Sequence, residues 1–185
     1  MNETYLAQKI SYWEKELLNP PITSQFFPQQ SRKRTFIGTI LPKKIKSHLL
    51  KKLKKFSETR KVTLYSTLLS AFFVLLYRFT GQRDLIIGTP TANRLQTDIQ
   101  NIVGLFVNSL PIRANCANSL TFNDFVKNVF STLSEAYQYQ DVPLEKIVSQ
   151  LNIERSSEHP PLFQVMFVLQ NPEFSAFKLE NVEME

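Results

Sequence analysis

VTLYSTLLSAFFVLLYRFTG at 62–81, DLIIGTPTANR at 84–94 and VGLFVNSLPIR at 103–113 decide how this chain folds. From Leu64 to Phe79 apolar residues fall on nearly every helical face, a pattern that is stable only where other elements cover the helix on several sides. Leu85, Ile86 and Ile87 form a short apolar run closed by Gly88 and Pro90, as in a strand buried on both faces. Between Gly88 and Val103 runs a long polar stretch, and a loop of that length inside a compact domain is usually functional or disordered. It is the first place to look for a site. The third stretch reads as a second strand, and Asn108 within it requires a hydrogen-bond partner for its amide.

Upstream, residues 5–18 place Leu6, Ile10, Trp13 and Leu17 on one helical face, with Pro20 and Pro21 ending the helix. A mixed-polarity connection leads to a strand at about Thr35 to Leu41. Pro42 then suits the first turn of a helix running to about Thr59, with Ile45, Leu49, Leu53 and Phe56 inward and its lysines solvated. Downstream, Asn115 to Asn118 reads as a turn, and Thr121 with Asp124 three residues on forms a capping box. The helix behind it, 122–138, carries Phe122, Phe125, Val126, Val129, Phe130, Leu133, Ala136 and Tyr137 as one stripe. Pro143 opens a short helix with Leu144, Ile147, Val148 and Leu151 inward. ERSSEHPP is a loop, LFQVMFVLQ a central strand, and FKLENVEME a last strand. The expected architecture is an α/β lobe: helices 64–79 and 122–138 cover a sheet containing Leu85 to Ile87, Leu105 to Ile112 and Phe163 to Leu169.

The 185 residues suit one domain, and 43% hydrophobic content supplies a core. No apolar run reaches the length of a bilayer span and no export signal is visible, so a cytoplasmic location with no membrane partner is expected. The lone Cys116 has no disulfide partner and reads as core filler. Charge is uneven: residues 32–61 hold 12 Lys and Arg against Glu58, whereas the remainder has 10 basic and 15 acidic residues. Such asymmetry suits either an anionic partner or an amphipathic helix. Aromatic residues for base stacking are nearly missing among the lysines, so no nucleic-acid site is expected there.

Catalytic chemistry is sparse. Four glycines, Gly38, Gly81, Gly88 and Gly104, permit neither a P-loop nor a G-x-G-x-x-G turn, and no serine sits in a nucleophile elbow. His48 lies among lysines and His159 beside two prolines, and neither makes a convincing general base. What remains are polar residues in apolar surroundings: Asn93, Arg94, Asn108, Gln140, Asp141 and Arg155. Each has a structural reading beside a functional one. Asp141 can cap the helix opened by Pro143, and Arg94 and Arg155 can pair with acids and fix loops.

RFTGQRDLIIGTPTANR, IVGLFVNSLPIR, YQDVPLE and RSSEHPPLFQVMFVLQN, in that order and spacing, resemble four motifs of the condensation domains of nonribosomal peptide synthetases. The likeness runs from the Tyr12-Trp13 helix to about Asn171. Departures are Ser109 for Thr, Tyr139 for His or Asn, Leu144 for Phe, Ser156 for Asp, Glu158 for Ser and Pro160 for Asn. The resemblance implies a chloramphenicol-acetyltransferase-like lobe with a mixed sheet covered by helices. In that family two such lobes form a V around a tunnel, and the HHxxxDG motif belongs to the other lobe. No two histidines are adjacent here and no glycine follows an aspartate. The resemblance therefore implies that 1–185 is a single C-terminal lobe, truncated at both ends. It would wall the tunnel and the acceptor side, with Asn93, Arg94, Asn108, Gln140, Asp141 and Arg155 as tunnel or lobe-interface candidates and no catalytic residue of its own. The partners it implies are an N-terminal lobe with HHxxxDG, peptidyl carrier proteins and an adenylation domain. Substrates would ride on the phosphopantetheine of carrier proteins, with no cofactor bound directly and no metal. The alternative is a noncatalytic module that binds a carrier protein.

Overall fold

The structure is a computed structural model that describes residues 3–21, 37–116, 121–153 and 160–170. Its elements are α1 (Glu3–Glu16), α2 (Ser47–Thr59), α3 (Leu64–Thr80), β1 (Asp84–Thr91), β2 (Asn108–Asn115), α4 (Phe122–Gln138) and α5 (Leu144–Gln150), with a 3₁₀ turn at Thr97–Ile99. The α/β reading holds.

α3 starts where Thr63 accepts a hydrogen bond from the Ser66 amide, and it stops at Gly81, whose φ of 76° is the left-handed conformation that glycine adopts without a Cβ penalty. Its buried Ser66 and Ser70 hydroxyls bond back to the Thr63 and Ser66 carbonyls, so these two polar groups are satisfied inside the core. α4 opens on the expected cap, Thr121 accepting from the Asp124 amide, and buries Phe125, Val126, Val129, Leu133 and Ala136. α3 and α4 pack together, with Phe73 edge-on to Phe125 at 6.3 Å between ring centroids. α3 covers β1, α4 and α5 cover β2, and α1 lies on α5. Trp13 and Leu17 are fully buried in the same core. Cys116 also lies there, and burial alone pushes its thiol up to about 11, which suits inert filler.

β1 and β2 pair antiparallel, from Asp84 opposite Asn115 to Thr91 opposite Asn108. β1 therefore runs through Gly88 and Pro90 rather than ending there. The Gly88 N–H bonds to the Val165 carbonyl, away from β2. By strand alternation the missing N–H of Pro90 faces that same side, so the β1–β2 ladder loses nothing. Pro111, opposite Gly88, is placed in the same way on β2.

The central strand expected at Phe163 to Leu169 is reduced to one parallel bridge, Gly88 to Met166, with Met166, Val168 and Leu169 about half exposed. Pro90 explains the loss. The next rung would need its N–H for the Phe167 carbonyl, and the Tyr65 hydroxyl donates to that carbonyl instead, at 3.0 Å. Gly88 is equally necessary, because a Cβ there would stand 2.3 Å from the Phe163 ring. The sheet is the antiparallel β1–β2 pair with one isolated parallel bridge beside it, and the second strand begins at Asn108 rather than Leu105, which is 92% exposed.

Other expectations are corrected. Residues 37–46 form no strand and no helix; Ile37, Ile40 and Leu41 are exposed, with no sheet edge beside them among the described residues. α2 starts five residues after Pro42, because Lys43, Lys44 and Lys46 crowd the positive end of the helix dipole and no side chain caps it. Of its four inward candidates, Ile45 and Leu49 are exposed; Leu53, Phe56 and Ser57 make the contact, the last through a 2.8 Å bond between its hydroxyl and that of Thr67. Phe122 and Tyr137 fall at the edges of the α4 stripe and stay exposed, and Phe130 is half-buried. α3 is left open along one side, at Leu75 and Phe79. Residues 154–159 of the expected loop, residues 117 and 118 of the expected turn and the FKLENVEME strand lie outside the described residues. Among the described residues no single helix is long and apolar enough to cross a membrane.

Candidate functional site

The loop 92–107 springs from the last rung of the β ladder, Thr91 opposite Asn108. Five of the six singled-out polar residues gather around it or its stem. Asn93 turns the chain out of β1 with φ 51°, a conformation that asparagine tolerates better than most residues.

Arg94 follows and folds the loop around itself. Its guanidinium donates to the carbonyls of Ile99, Ile102 (2.8 Å) and Gly104 (3.3 Å), and lies over the Phe106 ring at 4.4 Å. It fixes the loop, as expected, but through carbonyls rather than an acid. One planar fork thus replaces the ladder that a loop lacks. The surface it displays is mixed: Val103 is fully exposed and Leu95, Leu105 and Val107 are largely so, beside exposed Gln96, Thr97, Asp98, Gln100 and Asn101. Arg94→Ala should leave the global unfolding midpoint nearly unchanged while speeding proteolysis within 95–105 by about tenfold or more, since the loop's tertiary bonds converge on this side chain. Arg94→Lys, with one ammonium in place of the fork, should not restore resistance.

Asn108 supplies the stem. Its amide donates to the Gln140 carbonyl at 2.8 Å and the Val142 carbonyl at 2.7 Å, while its oxygen accepts from the amides of Leu144 at 3.2 Å and Ser109 at 2.9 Å. The partner required by the sequence is therefore the connector between α4 and α5. Gln140 reaches back, its side-chain oxygen accepting from the Thr91 hydroxyl and its amide donating to the Tyr137 carbonyl at 2.8 Å. Asp141 does not cap α5, whose N-cap is Pro143 with no side-chain bond. It pairs with Lys9 of α1 at 2.7 and 2.8 Å. A helix arriving from far upstream won the carboxylate over the local cap. Arg155 and His159 lie outside the described residues.

Lys9, Trp13, Thr91 and Tyr139 were not singled out from the sequence. The Trp13 indole N–H donates to the Tyr139 carbonyl at 3.2 Å, and the Tyr12 and Tyr139 rings stack at 4.0 Å, nearly parallel. The one local signal was Lys9 four residues before Trp13, on the same face of α1. Beside this contact, burial and the nearby Glu135 carboxylate raise Glu16 above the usual carboxylate range, with Arg113 opposing them.

Arg94, Asn108, Gln140 and Asp141 are spent on groups within the lobe, whereas the Tyr12 hydroxyl is buried with no hydrogen-bond partner among the described residues. His48 sits exposed on α2, remote in sequence from the loop and its stem. Among the described residues no three His, Cys, Asp or Glu side chains gather as metal ligands. The arrangement positions a loop; no group in it is set to move a proton.

A small antiparallel sheet covered by helices, with polar residues clasping a loop, has the chloramphenicol-acetyltransferase-like α/β fold. A family model described as Condensation domain matches residues 2–185, and the chain belongs to that family. It is 40% identical over 168 residues to a linear gramicidin synthase protein of Brevibacillus parabrevis, covering 90% of this chain and 3% of that protein. It is 32% identical over 185 residues to a plipastatin synthase protein of Bacillus subtilis (strain 168), covering 99% and 5%. The chain thus spans only a few per cent of the curated relatives it matches. A solved four-domain holo nonribosomal peptide synthetase bound to AMP and glycine shares the fold, with TM-score 0.84 at 23% identity over 92% of this chain and 13% of that one. A complex of the X-domain and OxyB from teicoplanin biosynthesis matches at TM-score 0.73 and 26% identity, over 87% of this chain and 36% of that one.

Proposed function

We propose that residues 1–185 act as the C-terminal lobe of a condensation domain, walling the tunnel and the acceptor side while a second lobe bearing HHxxxDG manages the proton. The joint reaction is amide formation between aminoacyl or peptidyl thioesters carried on the phosphopantetheine of carrier proteins, in an assembly line that also contains an adenylation domain. The observation that carries this reading is the clasp of Asn108, Gln140 and Arg94, which holds the 92–107 loop in place on the end of the β ladder. Amide formation needs the amine held against the carbonyl and a proton handled in the transition state. This lobe contributes the first requirement alone.

The purified chain, with and without an N-terminal condensation lobe, should be incubated with donor and acceptor thioesters, both carrier-bound and on free pantetheine, and the amide followed by mass spectrometry. Product only on mixing is the expected result. Product from the chain alone above the uncatalysed background would overturn it. A second reading, a noncatalytic module that binds a protein partner, is favoured by the structural likeness to the X-domain and OxyB complex. It becomes the better account if mixing yields no product and a carrier protein still binds.

A further inference from the structure

The connector between α4 and α5, residues 139–143, is gripped from two sides by side chains from distant parts of the chain. From α1, the Lys9 ammonium donates to both carboxylate oxygens of Asp141 at 2.7 and 2.8 Å and to the Gln138 carbonyl at 3.4 Å. The Trp13 indole donates to the Tyr139 carbonyl at 3.2 Å, and the Tyr12 ring lies on the Tyr139 ring. From the stem of the 92–107 loop, Asn108 holds the Gln140 and Val142 carbonyls, and the Gln140 side chain accepts from Thr91. The grips alternate: α1 takes residues 139 and 141, the stem takes 140 and 142. The backbone between them has little slack. The Val142 amide closes a turn on the Tyr139 carbonyl at 3.3 Å, the same oxygen that accepts from Trp13, and the Val142 side chain is fully buried.

We infer that Lys9 and Asp141 are positioning residues for the 92–107 loop, acting through this connector. The pair holds the connector against α1, the connector holds Asn108 and Gln140, and these fix the two ends of the loop at Asn108 and Thr91. A contiguous chain of bonds of this kind carries displacement from one grip to the other. The side chains of the pair are only 15% and 17% exposed, so removing the ammonium leaves a carboxylate with little water to replace it. Building on the proposed function, the seating of α1 then sets how well the acceptor side is held, and Lys9 influences acceptor affinity from a helix at the other end of the chain. Coupling of this kind is reciprocal, so a loosened stem must also loosen α1.

The test is amide hydrogen exchange read by mass spectrometry on the full chain, beside Lys9→Met, Lys9→Arg and Asn108→Leu. Methionine keeps an unbranched apolar side chain and removes the ammonium; arginine keeps a cation. The expected result for Lys9→Met is exchange within 92–107 faster by about threefold or more, with the β1–β2 ladder and the α3–α4 core unchanged. Lys9→Arg should stay near the wild-type rate, and Asn108→Leu should speed exchange in α1. Loop exchange unmoved by Lys9→Met overturns the inference. So does an acceleration spread equally over ladder and core, one shared equally by Lys9→Arg, or α1 protection indifferent to Asn108→Leu. In the mixed-lobe reaction, Lys9→Met should raise the KM for the acceptor thioester more than it lowers kcat, and a fall in kcat with KM unchanged overturns the link to the acceptor. Exchange is read on the chain alone, so mixed lobes that form no amide strike the proposed function, while the coupling of α1 to the loop is decided by exchange.

Discussion

Truncating Phe73 to alanine is expected to lower the unfolding free energy by about 3–5 kcal/mol, the usual cost of emptying a fully buried aromatic site. Phe73 has no exposed surface and meets Phe125 edge-on, so its ring fills the space where α3 and α4 touch. Neither helix can close over the gap, because α3 is fixed on β1 and α4 on β2. Against a typical domain stability of about 5–15 kcal/mol this removes about a fifth or more of the total. Urea unfolding followed by circular dichroism should show a lower midpoint with an unchanged slope. The same truncation at half-buried Phe130 should cost clearly less, and equal costs would refute this account of the core.

The second large effect belongs to Asn108. Replacing it with leucine keeps the branched four-atom side chain and removes four hydrogen bonds, leaving the Gln140 and Val142 carbonyls and the Leu144 amide without their partner. The expected loss is about 2–4 kcal/mol, since orphaning a buried polar group costs about 1–3 kcal/mol and these three are partly buried. Amide exchange should accelerate at both ends of the 92–107 loop. Asn108→Asp is the sharper probe, because it turns a donor facing two carbonyl oxygens into an acceptor. Its carboxyl should then titrate above its unfolded value, so the variant's stability rises as pH falls through that range. A variant whose stability instead falls over that range as acid is added would show that the amide orientation described here is wrong.

What could be read from the chain was what it does locally. The α4 stripe and its Thr121 cap are set by residues within one helix, and the demand of Asn108 for a partner follows from its apolar neighbours alone. Where the reading failed, a distant group decided. Pro90 ends many strands, yet here its missing N–H faces away from β2, and only the position of Val165 reveals that side. The same proline cut short the apolar LFQVMFVLQ strand, a consequence that no periodicity of that segment contains. Asp141 was drawn from its cap by Lys9, 132 residues away. The family motifs singled out Arg94, Asn108, Gln140 and Asp141, but the bonds they make to the loop, its stem and α1 required coordinates.

The docking of α1 sets an order of assembly opposite to the order of synthesis. Trp13 finds the Tyr139 carbonyl across 126 residues of chain. At a ribosomal rate of about 5–20 residues per second, α1 waits roughly 6–25 s before its seat on the connector exists. Closing so long a loop is entropically dear but only logarithmically so, and the ladder between β1 and β2 shortens the effective path once it has formed. α1 is therefore made ahead of the other helices described here, yet it cannot seat until the connector behind α4 exists. In the interval the stripe of Leu6, Ile10, Trp13 and Leu17 is open to chaperones or to the wrong neighbour.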